Sequence, residues 1–188
     1  MVLAFIVLVL AVFSRVAPHL LHLTGANVTM VGAGLLFFGS RLKTKDRWMV
    51  LVAIAALAAT DWWLTTVAYG YPFHVAGYVP TWLWYTAVCL AASATLHRRH
   101  GAVRVLVAAL ASSTGFFLFS NGMVWLRSSL YPHNAAGLGA CYLAGLPFYR
   151  NEMTSTLVFS AVFFALPWAA KTLTAAARSM SDHGSTAV

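Results

Sequence analysis

Apolar runs of near membrane-spanning length alternate along the chain with short polar or basic breaks. A helix needs about 20 predominantly apolar residues to cross the hydrocarbon of a bilayer. Six segments approach that pattern, with approximate ends at residues 2–22, 27–40, 48–67, 79–96, 103–126 and 154–175. The first, "MVLAFIVLVLAVF", has neither the basic start nor the small-residue cleavage site of a signal peptide, so it is expected to be retained, kinked at Pro18. The second carries Gly32, Gly34 and Gly39, and small residues let helix backbones approach closely in lipid. Between the fifth and sixth, "AAGLGACYLAGLPFY" is too rich in glycine to span yet apolar enough to lie in the interface or re-enter the bundle. The pattern predicts an all-α integral membrane protein: a single six-transmembrane-helix bundle over residues 1–178, followed by a flexible polar tail over 179–188.

Composition agrees, because 61% of residues are hydrophobic and only 9% charged, far from the mixture of a soluble globular domain. The formal charge of +8 would suggest nucleic acid if it lay on one face. It does not: the basic residues gather in three breaks, at Arg41, Lys43, Lys45 and Arg47, at Arg98, Arg99 and Arg104, and at Lys171 and Arg178. That is the positive-inside pattern. It places both termini in the cytoplasm, leaves Arg15, Arg127 and Arg150 outside, and makes the lipid bilayer with its anionic headgroups, rather than nucleic acid, the expected partner. No G-x-x-x-x-G-K-[ST] loop occurs, so energy for any active transport would come from a partner or an ion gradient.

Asp61 is the only acid inside an expected span. A carboxylate at that depth faces a cavity, a ligand or a hydrogen-bonding neighbour helix. Asn121 and Trp125 stand at i and i+4 and share a helix face that Phe117 extends inward, which suits either the lining of a small-ligand pocket or an interhelical hydrogen bond beneath a belt tryptophan. Trp62, Trp63, Trp82, Trp84 and Tyr85 fall in the outer halves of their spans and read as interfacial belt aromatics. His19, His22, His74 and His133 lie on the same outer side but without a Glu or Cys at ligand spacing, a weak metal signal. Cys141 is the one thiol placed to meet a soft metal, and as a small buried side chain it needs none; no cofactor is implied. Cys89 and Cys141 form no C-x-x-C, and His133, Asp61 and Ser120 do not assemble into a catalytic constellation, so the chain does not read as an enzyme.

Three stretches carry a resemblance: "SRVAPHLLHLTGANVTMVGAGLLFFGS", then "TDWW", then "FFLFSNGMVWL" with "YPHNAAGLGACYLAGLPFYRNEMTSTLVFSAVFF". Together they resemble an uncharacterised family of small bacterial membrane proteins assigned to transport. That family is similar in turn to the S components of energy-coupling-factor transporters, the six-helix subunits that bind vitamins. The resemblance implies a multi-pass protein of the bacterial inner membrane with an outward-facing pocket capped by outer loops. It also implies a small vitamin-like or cofactor-precursor ligand, and an energising module or another membrane protein as partner. In that reading Asp61 and Asn121 make polar contacts and Trp125 and Tyr142 cover apolar faces. Arg150 or Asn151 holds the capping loop, with Asn27 and His19 at the outer rim. The alternative is an accessory subunit of a larger membrane complex with no ligand of its own, since glycine-rich helices and abundant aromatics suit lipid-buried interfaces equally well.

Overall fold

A computed structural model of the chain describes residues 1–21, 28–97 and 101–185. Asn27, His22, Arg98, Arg99, His100 and residues 186–188 lie outside the described residues. Six α-helices follow one another: α1 (Val2–Leu20), α2 (Val31–Arg41), α3 (Val50–Trp63), α4 (Val75–Thr95), α5 (Ala102–Arg127) and α6 (Ala135–Ser185). A 3₁₀ turn (Thr44–Met49) leads into α3, and a single wide π turn (Leu64–Ala68) leads out of it. Among the described residues there is no strand.

The centre of the bundle is α2. Nine of its residues, from Val31 to Ser40, are buried, with Phe37 and Phe38 fully enclosed, as expected of a helix that is apolar all round. Phe38 meets Phe5 of α1 edge-on at 5.5 Å, and Phe37 meets Phe163 and Phe164 of α6 at 6.2 and 5.3 Å. A third side is closed by α4, where backbone meets backbone. A β-carbon added at Gly39 would stand 2.3 Å from the carbonyl oxygen of Cys89, so glycine permits this crossing by absence of a side chain. Below it, Ser93 Oγ donates to the Leu42 carbonyl at 2.9 Å and receives Arg47 Nε at 3.1 Å, and His97 Nδ1 donates to the Ser40 carbonyl at 3.0 Å. These bonds satisfy carbonyls freed where α2 ends, which the hydrocarbon would otherwise leave unpaired.

The outer surfaces stay apolar: Val9, Leu51, Leu83 and Val107, on four different helices, are all exposed. Four helical segments among the described residues are long and apolar enough to cross a bilayer, namely Val2–Leu20, Thr44–Ala68, Val75–Thr95 and Ala102–Arg127. The other two expected spans depart from a simple crossing. With 11 residues α2 is about 16 Å long, short of a bilayer core, whereas α6 at 51 residues measures about 75 Å.

The length of α6 changes one expectation. The glycine-rich stretch from Ala135 is not a separate interfacial or re-entrant piece but the first part of α6, which runs through Ser185. The helix starts where it does because Asn134 Oδ1 accepts the backbone N–H of Gly137 at 2.8 Å, an N-cap that the glycines had obscured. Packing along α5 then outweighs the propensity cost of Gly137, Gly139 and Gly145, roughly 1 kcal/mol each relative to alanine. Gly39→Val should lower the thermal midpoint of the detergent-solubilised protein, with overpacking of about 1–3 kcal/mol or more because the obstacle is backbone. Gly77→Ala, where a β-carbon meets nothing within 4 Å, should leave it unchanged; equal behaviour of the two variants would remove the close α2–α4 crossing.

Candidate functional site

At the end of the bundle away from Arg41 and Lys43, the helices part around a cavity of about 400 Å³. Arg15 of α1, Asp61 of α3, Tyr78 and Tyr85 of α4, Ser113 to Asn121 of α5 and Gly145 to Glu152 of α6 contribute its walls, with Thr29 and Val31 at the start of α2. Its size falls within the range of small-molecule sites, and so does its make-up, in which aromatic rings surround a few convergent polar groups.

One wall is an ion pair. Arg15 donates to Asp61 Oδ1, and its other terminal nitrogen reaches Thr60 Oγ1 at 3.0 Å and the Leu57 carbonyl at 3.3 Å. Trp82 Nε1 donates to the second carboxylate oxygen at 2.7 Å, so both oxygens of Asp61 are engaged. The local fold presents these acceptors together. Leu57, Thr60 and Asp61 follow one another on the inward stripe of α3 at helical spacing, and Thr60 Oγ1 keeps its own proton on the Leu57 carbonyl at 2.7 Å, leaving lone pairs for Arg15. Arg15 is therefore no free cation but the partner of Asp61. An arginine keeps its charge, and within an apolar helix it turns to the available carboxylate. Trp82 is likewise not a belt aromatic, because its indole N–H is committed to Asp61.

The opposite wall is Glu152. Thr156 Oγ1 donates to its Oε1 at 3.0 Å. Ser113 Oγ, on the facing helix α5, lines the same space and interacts with the Glu152 carboxylate, although neither it nor Glu152 Oε2 completes a hydrogen bond of ordinary geometry. Buried polar atoms are nearly always paired, so a ligand or solvent group entering here would complete the bonding. Between these walls the aromatics stack in pairs: Phe117 on Tyr149 at 4.6 Å and Tyr85 on Phe116 at 5.8 Å. Tyr149 is steadied by Thr114, hydroxyl to hydroxyl at 2.8 Å.

Of the triplet Ser120, Asn121 and Gly122, the first two border this space. Ser120 and Asn121 line the cavity beside Phe117, and Asn121 Nδ2 donates to the Phe117 carbonyl one turn back at 2.8 Å. Its carbonyl end abuts Gly145, where a β-carbon would come within 2.5 Å of Asn121 Oδ1; glycine on α6 makes the room that the amide occupies. Cys141 is buried at the same seam, its thiol donating to the Asn121 carbonyl at 3.4 Å. Among the described residues no three His, Cys, Asp or Glu side chains gather into a metal site.

Other expected contacts lie elsewhere. Trp125 Nε1 donates to the Pro132 carbonyl at 2.9 Å, and His133 Nε2 donates back to the Trp125 carbonyl at 2.8 Å, so this pair clasps the turn between α5 and α6 outside the cavity. Tyr142 packs against Phe117 at 5.5 Å, with its hydroxyl donating to the Leu118 carbonyl at 2.9 Å, behind the lining rather than in it. Arg150 and Asn151 belong to α6, not to a capping loop; Arg150 is exposed, and the lining residue at this level is Glu152. His19 is exposed, its ring edge-on to Trp63 and Tyr69 at 5.8 and 5.7 Å. Sequence reasoning missed Glu152 because it falls two residues ahead of the expected sixth span. An acid flanked by "FYRN" and "MTST", one turn before an apolar run, was the available signal.

Long apolar helices around a polar, aromatic-lined chamber describe a helical protein suited to a bilayer. The chain belongs to the family of unknown function DUF6580, which it matches over residues 1–178. No curated protein and no solved structure matches it.

Removing one partner of the ion pair strands the other in a low-dielectric wall. Asp61→Ala should cost about 3–5 kcal/mol, read as a lower thermal midpoint and a smaller folded yield, whereas Arg15→Met combined with Asp61→Leu should recover most of the loss. A double variant no better than the single one would show that the two charges are not each other's main partners.

Proposed function

We propose that this protein is a substrate-binding membrane protein that takes up a small, largely neutral, partly flat molecule of vitamin or cofactor-precursor type. Its six helices sit in the bacterial inner membrane in the manner of an S component, with both termini in the cytoplasm and the short α2 enclosed at the centre of the bundle. The cavity then opens outward, because it lies at the end of the bundle opposite the basic breaks.

The observation that carries this reading is the cavity itself, with a buried carboxylate on its wall whose second oxygen lacks a hydrogen bond of ordinary geometry. The charges of Arg15 and Asp61 offset each other, which leaves Glu152 Oε2, Ser113 Oγ and the amide of Asn121 to bond a ligand's polar edge. Phe117 with Tyr149 on one side, and Phe116 with Tyr85 on the other, offer faces against which a flat ring can stack. A ligand that donates an N–H to Glu152 while lying between these rings suits every group in the lining.

Native mass spectrometry of protein extracted gently from its own membrane should reveal a stoichiometric small molecule. Glu152→Gln and Asn121→Ala should each reduce its occupancy about tenfold, the worth of a hydrogen bond to a charged or buried group, with folded yield unchanged. An empty interior together with a protein partner at fixed stoichiometry would instead make the chain an accessory subunit.

A further inference from the structure

The opposite end of the bundle holds two connected spaces that the cavity above does not use. Between α4 and α5 runs an apolar groove of about 510 Å³, floored by the buried Leu36 of α2 and walled by small side chains such as Ala87, Ala91 and Ala108. Its outer rim is exposed, with Val103 and Val107 on the surface that lipid would cover. At its lower end the groove reaches Thr95 and Arg104. The same two residues line a second cavity, of about 910 Å³, with Lys43, Lys45, Arg47 and His97.

We infer that this pair of spaces is a binding site for one anionic phospholipid, an acyl chain in the α4–α5 groove and the phosphate among Lys43, Lys45 and Arg104. Charge complementarity chooses the occupant. Four Lys and Arg side chains line the lower cavity, and the neighbouring Asp46, the acid of the same 3₁₀ turn, is not in its lining. Among the described residues the side chains of Lys43, Lys45 and Arg104 have no hydrogen bond or ion pair, whereas Arg47 Nε is held on Ser93 at 3.1 Å and His97 Nδ1 on the Ser40 carbonyl at 3.0 Å. Three cations thus stand unmatched above a set pair that shapes the cavity. Basic pockets between membrane helices are the sites where anionic headgroups bind, and each Lys or Arg contributes about fivefold in affinity. The groove supplies what a free phosphate lacks, an apolar path for a chain. A general basic belt would hold lipid loosely; a groove joined to the cations through Thr95 and Arg104 holds one molecule in register.

The full chain in detergent, offered equal amounts of dipalmitoyl phosphatidylglycerol and dipalmitoyl phosphatidylcholine, should retain the anionic lipid roughly tenfold or more over the neutral one by native mass spectrometry. Lys43→Ala with Arg104→Ala should abolish the preference, while Arg127→Gln with Arg150→Gln, the same charge change at the other end, should keep it. Ala91→Trp with Ala108→Trp, which fills the groove and leaves every cation, should also lower retention. Equal retention of the two lipids by the wild-type protein would overturn the site, as would equal loss from both charge-removed pairs. The wild-type protein alone supplies a further check independent of variant folding: inorganic phosphate at the lipid's concentration should not displace it, and displacement would reduce the site to a phosphate contact without a chain.

Discussion

An arginine within an apolar helix cannot shed its proton, so the bundle has to deliver a carboxylate to it. In this protein Arg15 of α1 meets Asp61 of α3, and the requirement fixes more than two side chains. It orients α1 and α3 so that Leu57, Thr60 and Asp61 face α1, and it draws α4 in through Trp82, which takes the second carboxylate oxygen. The charged wall of the cavity is the product. Because both charges are matched and bonded, the ion pair serves as a rigid, electrically neutral surface, and the polarity open to a visitor comes from α5 and α6.

Packing elsewhere follows from a different rule. Lipid gives no hydrophobic reward for burying one leucine against another, so helices associate where backbones can come close. Gly39 against the Cys89 backbone is such a place and holds the core together, whereas Gly145 lets the Asn121 side chain lie against α6 beside the cavity. The same substitution of small for large does structural work at the first and prepares a site at the second. The aromatics that a composition argument assigns to the membrane interface divide similarly: Trp62 stays exposed, while Trp82 and Tyr85 turn inward to the ion pair and the cavity.

The two ends of the bundle differ in chemistry. One end gathers hydroxyls, an amide, paired rings and a carboxylate around a polar chamber. The other gathers cations around the break between α2 and α3, where Ser93 and His97 hold freed carbonyls and leave Lys43, Lys45 and Arg104 facing outward. A lipid held at the second end would bear on α4 and α5, the helices that also wall the first.

Much of this was legible in the chain itself. Apolar run length, broken by Arg41, Lys43, Lys45 and Arg47, identifies helices suited to a bilayer, because the cost of burying charge acts on local composition and needs no partner. Asp61 and Asn121 stood out for the same reason, as polar groups in apolar surroundings. What the chain could not reveal is which groups meet. Arg15 lies 46 residues from Asp61, and nothing local pairs them. Trp125 and Tyr142 share a motif with Asn121 yet turn to the α5–α6 turn and to the rear of Phe117, because rotation about a helix axis is set by neighbouring helices. Glycine content made residues 135–153 read as broken, and only the Asn134 cap and the length of α5 beside them make them helix. That continuation carries Glu152 into the cavity. Composition, a local property, determined the kind of protein; the cavity's polar lining depended on contacts between distant segments, which only the tertiary structure decides.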